Sequence, residues 1–99
     1  MDAIASQIDK SYFESIYAIP RGGLVLGVYL SHRLGLPMVE KPTKRCIICD
    51  DIADTGKTVE PYKNYFIVTL YYHKQSTVEP DIWIYEKTDA WIKFPWEVK

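Results

Sequence analysis

Asp50, Asp51 and Asp54 stand close together and run directly into Thr55-Gly56-Lys57-Thr58. Carboxylates this near one another repel, so their coexistence points to a cation or a ligand's hydroxyl groups between them. The Thr-Gly-Lys-Thr run can wrap a phosphate with amides and hydroxyls. A helix cap alone would need one such oxygen, and three carboxylates exceed that need. The end of a Walker A loop resembles Gly56-Lys57-Thr58, but that loop needs a glycine where Asp51 stands, and its phosphates would face acids. A second cluster, Pro20-Arg21-Gly22-Gly23, joins backbone N–H groups at a helix start to a guanidinium. That combination suits an anionic oxygen cluster, although by itself it also reads as a plain tight turn. Cys46 and Cys49 have the C-x-x-C spacing of a redox dithiol or half a zinc site. On a strand, however, an offset of three sends the sulfurs to opposite faces, and two small buried hydrophobes are the preferred reading.

The elements that position these clusters follow from apolar spacing and turn residues. Ile4, Ala5 and Ile8 share one face of a helix predicted over residues 2–12, with Asp2 as its N-cap. Ser15-Ile16-Tyr17-Ala18-Ile19 reads as a strand ending at the Pro-Arg-Gly-Gly turn. Leu24, Val25, Val28, Leu30 and Leu34 then form the apolar stripe of a helix stopped by Gly35 and Pro37. Pro37-Met38-Val39-Glu40 reads as a brief strand. Arg45-Cys46-Ile47-Ile48-Cys49 is continuously apolar, as a central strand buried on both faces of a parallel sheet should be. It is expected to end at Asp50 and lead into a helix over residues 59–64, with Pro61 tolerable only near that helix's start. Residues 65–72 are rich in aromatic and β-branched side chains and read as a strand, and Asp81-Ile82-Trp83-Ile84-Tyr85 alternates like another. Alternating strands and helices predict an α/β fold with a mostly parallel, twisted sheet flanked by helices. Ligands bind such sheets beyond the carboxyl ends of the strands, where both clusters fall.

Composition sets the outer bounds. The 99 residues are 47% hydrophobic and 25% charged, with a formal net charge of −1, which indicates one small domain spanning residues 1–99. Nucleic-acid binding is not expected, because the basic residues are scattered among 13 acids rather than clustered. No apolar run approaches the length of a membrane span, and the start lacks a secretory signal, so a cytoplasmic protein is expected.

The run Cys46-Ile47-Ile48-Cys49-Asp50-Asp51-Ile52-Ala53-Asp54-Thr55-Gly56-Lys57-Thr58 resembles the phosphoribosyl-pyrophosphate signature of the type I phosphoribosyltransferases. Arg21-Gly22-Gly23 resembles that family's pyrophosphate loop. Thr88-Asp89-Ala90-Trp91-Ile92 and Phe94-Pro95-Trp96-Glu97 resemble the carboxyl-terminal hood of its xanthine-guanine and hypoxanthine branch. The resemblance implies that Asp54, Thr55, Gly56, Lys57 and Thr58 hold the 5′-phosphate, and that Asp50 and Asp51 face the ribose hydroxyls and magnesium. It further implies that Arg21, Gly22 and Gly23 bind pyrophosphate, that Asp54 assists proton movement on the base, that Trp91 stacks on the purine, and that Ile92 offers backbone contacts. Hood elements would occupy about 1–14 and 81–99. The implied reaction moves phosphoribosyl from its pyrophosphate donor to guanine, xanthine or hypoxanthine, with Mg2+.

The chain departs from the family pattern twice. Counting along Val68-Thr69-Leu70-Tyr71-Tyr72 places His73 where the family carries a base-contacting lysine, with Lys74 one place late. Lys74 can substitute only if the strand has ended before it. Between Leu36 and Arg45 the family's flexible lid is replaced by a short connection, which predicts slow turnover, leakage to hydrolysis or help from a neighbouring subunit. A non-catalytic binder of nucleotide or donor and a transferase for another nucleobase are the alternatives. Trp83 and Trp96 read as core or interface residues, and the wide apolar face of the helix beginning at Leu24 predicts a homodimer.

Overall fold

The computed structural model describes residues 2–53, 56–73 and 75–86. Four strands, β1 (Ser15–Ala18), β2 (Cys46–Ala53), β3 (Phe66–Tyr72) and β4 (Tyr85–Glu86), form one sheet in the order β1-β2-β3-β4. Among the described residues every pairing is parallel, as the apolar run in β2 predicts. Side chains in β2 alternate faces. Ile47 and Cys49 join one core cluster, and Cys46 and Ile48 join the other. The two thiols therefore sit on opposite sides of the sheet. Burial pushes both up in pKa, Cys49 further than Cys46, so they remain protonated hydrophobes.

The first face is covered by helix α2 (Leu24–Leu34) and the short helix α1 (Asp2–Ala5). Leu26, Leu30 and Leu34 pack on Ile16, Ile47 and Val68, while Ile4, Ala5 and Ile8 close the same cluster. At Gly27 a Cβ would lie 2.7 Å from the Cβ of Ala18, so glycine sets how closely α2 approaches β1. The sheet-facing stripe of α2 is Leu26, Gly27, Leu30 and Leu34 rather than the wider predicted set. Leu24, Val25, Val28 and Met38 stay exposed, and Val28 and Met38 line one shallow cleft. Gly35 ends the helix in the left-handed region at φ 67°, its N–H donating to the Ser31 carbonyl.

The helix predicted over 2–12 stops at Ala5 and is followed by a 3-10 turn at Lys10–Tyr12. Asp9 accepts from the Ser11 backbone N–H and hydroxyl, a local bonding pattern that competes with helix continuation. The helix expected over 59–64 is likewise only a 3-10 turn, Glu60–Tyr62. Pro61 cannot donate within a helix, and β3 begins a few residues later. In place of a helix, Val59 and the rings of Tyr17, Tyr62, Tyr65 and Tyr72 cover the second face. The segment predicted as a strand at Pro37–Glu40 makes one parallel bridge, Met38 to Ile16. The strand predicted at 81–85 reduces to a bridge at Ile82 and the two-residue β4. Among the described residues no helix is long and apolar enough to cross a membrane.

Candidate active site

Because β1, β2 and β3 run parallel, the loops that follow them emerge along one edge of the sheet. The first loop is tied directly to β2. The Ile19 N–H donates to the Cys49 carbonyl at 2.9 Å, and the Gly23 N–H donates back to the Ile19 carbonyl at 2.8 Å. A Cβ at Gly23 would strike the Cys49 carbonyl and lie 2.9 Å from the Ile19 nitrogen, so only glycine allows this approach. At Gly22 a Cβ would stand 2.6 Å from the carboxylate carbon of Asp51. The two sequence clusters thus meet in space, glycine against carboxylate.

Of the amides expected to receive an anion, two are used internally: Gly23 N–H by Ile19, and Leu24 N–H by the Arg21 carbonyl at 3.2 Å. The Arg21 and Gly22 N–H groups have no hydrogen-bond partner among the described residues. Arg21 is exposed and Gly22 half-buried, which leaves two amides and a guanidinium for an anion beside Asp51. The Pro20–Arg21 peptide bond is cis.

Asp50 and Asp51 lie within β2, which continues to Ala53 rather than ending at the first acid. Asp50 is 5% exposed and sits in register with fully buried Thr69 of β3. One of its oxygens accepts from the Asp51 N–H at 2.8 Å. Burial, followed by the neighbouring Asp51 carboxylate, pushes the Asp50 carboxyl up to about 8. Asp51 is half-buried, and its Oδ1 accepts from the Ile52 N–H at 2.8 Å.

Beyond β2, Gly56 is buried in the left-handed region at φ 92°, and Lys57 and Thr58 are exposed. The loop after β3 packs on it: a Cβ at Gly56 would lie 2.5 Å from the Thr77 hydroxyl and 2.6 Å from the Thr77 nitrogen. That third loop begins at His73, whose N–H donates to the Ala53 carbonyl at 2.9 Å. Strand β3 has ended at Tyr72, so the condition under which Lys74 could replace the expected lysine is met. Asp54, Thr55, Lys74, Trp91, Ile92 and Trp96 lie outside the described residues. Ser76, Thr77 and Thr69 escape sequence reasoning, because isolated hydroxyl residues in a polar loop or an apolar strand carry no spacing signal. Trp83 stacks on Tyr72 with ring centroids 5.2 Å apart, in keeping with its reading as a packing residue.

No family model matches the chain. A xanthine-guanine phosphoribosyltransferase from Desulfotalea psychrophila is 28% identical over 120 residues, covering 93% of this chain and 75% of the relative. That alignment is longer than the 99-residue chain, so the relative carries residues with no counterpart here. The xanthine-guanine-hypoxanthine phosphoribosyltransferase of Helicobacter pylori shares the fold, with a TM-score of 0.81 at 20% identity over 97% of this chain and 84% of that one. The purine phosphoribosyltransferase of Pyrococcus horikoshii superposes with a TM-score of 0.84 at 30% identity, covering 99% of this chain and 86% of that one. The chain belongs to the type I phosphoribosyltransferase family, among its purine phosphoribosyltransferases.

Proposed function

We propose that the chain transfers the phosphoribosyl group of phosphoribosyl pyrophosphate to a 6-oxopurine, guanine, xanthine or hypoxanthine. The observation that carries this reading is the seating of Gly22 against Asp51, which sets an anion-binding turn beside a carboxylate at the end of a parallel sheet. A purine nitrogen forms a bond to the anomeric carbon as the carbon–oxygen bond to pyrophosphate breaks, its electron pair leaving with pyrophosphate. The nitrogen's proton passes to a base, the role that family resemblance gives Asp54. The sugar gains cationic character while a polyanion departs, so carboxylates near the ribose and N–H donors around the leaving group stabilise the transition state. Arg21 and Gly22 supply those donors.

The donor set fits magnesium. Asp50 and Asp51 are adjacent carboxylates, and Asp50 is buried without a counter-charge from the described residues. Among the described residues no group of three or more His, Cys, Asp and Glu converges to hold a metal. Magnesium characteristically takes one or two carboxylates and completes its shell with substrate phosphates and water. When bound there it would neutralise charge on the departing pyrophosphate. We assign the chain to the cytoplasm, since its donor is a polyanion that does not cross membranes unaided. We further propose a homodimer formed through Leu24, Val25, Val28 and Met38, which are 36–53% exposed.

The test offers purified protein the donor, magnesium and each nucleobase in turn, following pyrophosphate release. Equimolar pyrophosphate and nucleotide from a 6-oxopurine is the expected result. Donor binding by calorimetry with no release from any base would identify a non-catalytic binder, and release with adenine or a pyrimidine alone would identify another acceptor. Asp54→Asn should lose turnover and keep donor affinity.

A further inference from the structure

The turn after β3 and the loop after β2 form one connected unit. Within the turn, Ser76 N–H donates to the His73 carbonyl at 2.9 Å and Gln75 N–H to His73 Nδ1 at 3.1 Å. Within the loop, Glu60 N–H donates to the Gly56 carbonyl at 2.8 Å, closing a helical turn over Lys57 and Thr58. Thr77 joins the two. Its nitrogen and hydroxyl fill the space beside Gly56, and its hydroxyl donates to Glu60 Oε2 at 3.1 Å. At Gly56 the left-handed backbone disfavours any side chain, and Thr77 leaves no room for one.

We infer that Thr77 is a positioning residue that locks the turn bearing His73 to the loop bearing Gly56, Lys57 and Thr58, so that sugar-phosphate and base affinities are coupled. The inference rests on the phosphoribosyl reading of the site. Any such coupling is reciprocal: a base that orders the turn tightens phosphate binding, and phosphate tightens base binding by the same factor.

Calorimetry with ribose 5-phosphate, which lacks a leaving group, in the presence and absence of hypoxanthine reads this directly. Thr77→Val, which keeps the volume and loses the hydroxyl, should weaken ribose 5-phosphate binding roughly 3- to 10-fold, the range one net hydrogen bond carries. It should also shrink the gain in affinity that hypoxanthine confers. Thr77→Ser should bind like the parent. Glu60→Ala should reproduce the Thr77→Val loss, and the double variant should lose no more than either single one, because both remove the same contact. Unchanged affinity in Thr77→Val, equal impairment of Thr77→Val and Thr77→Ser, or additive losses in the double variant would overturn the coupling alone. A parent protein that binds no ribose 5-phosphate would overturn the phosphoribosyl reading with it.

Discussion

Gly22 and Gly23 are adjacent and chemically identical, yet alanine at each should fail in a different way. Gly23 has φ −80° and ψ −9°, a conformation alanine adopts freely, so backbone angles are not the obstacle. The obstacle is that its Cβ would meet the Cys49 carbonyl group and the Ile19 nitrogen. These are backbone atoms bonded to each other at the β1–β2 junction, and no side-chain rotation relieves the clash. Overpacking costs about 1–3 kcal/mol and a strained or broken buried hydrogen bond about 1–3 more, offset by about 0.4–1 kcal/mol from the stiffer unfolded chain. The net loss of about 1–6 kcal/mol is a large share of the roughly 5–15 kcal/mol that holds a domain together. At about 4–8 °C per kcal/mol, Gly23→Ala should lower Tm by roughly 4–45 °C. The Cβ of Gly22→Ala would instead meet the Asp51 carboxylate, the end of a side chain that can turn away. This variant should keep Tm within about 8 °C, since less than about 1 kcal/mol is at stake, and lose affinity for magnesium pyrophosphate. Thermal unfolding of both proteins, with calorimetric titration of magnesium pyrophosphate, separates the two effects. Equal Tm losses, or a Gly23→Ala protein as stable as its parent, would refute the seating described here.

The Asp50 carboxyl is raised above its unfolded value of about 3.9, so the folded state binds its proton more tightly. Its contribution to stability is therefore full below about pH 4, declines as pH rises toward about 8, and is flat beyond. In metal-free buffer Asp50→Asn should gain Tm relative to the parent between pH 5 and 9, and a difference independent of pH would count against the burial argument. Arg21→Ala should weaken pyrophosphate binding about 10-fold, in line with a hydrogen bond to a charged group; an unaltered dissociation constant would contradict the role given to this turn. Leu26→Ala empties a fully buried position under the sheet. It should cost about 2–5 kcal/mol in denaturant unfolding, and a loss below about 1 kcal/mol would place Leu26 outside the core.

Much of the fold is legible because its signals are local. The unbroken run in β2 announces burial on both faces, and Gly35 announces where α2 stops. Elements that depend on distant partners are harder to read. Residues 59–64 carry enough apolar character for a helix, but the space between the loop at Gly56 and β3 admits only a 3-10 turn around Pro61. Residues 81–85 alternate like a strand, yet only Ile82 and the pair Tyr85–Glu86 reach the ladder beside β3. In α2 the apolar positions outnumber those one sheet face can cover, and spacing alone does not say which of them turn inward.

Residue types and their order were enough to single out two clusters as candidates for anion handling, to place the first just after a strand and to indicate a parallel sheet, because turn chemistry and apolar periodicity act over a few residues. Tertiary structure decided that Gly22 touches Asp51, that Thr77 fills the space beside Gly56, and that Asp50 is buried enough for its pKa to rise. Each of these depends on how closely two segments distant in sequence approach, a distance set by the packing of the whole sheet against α2.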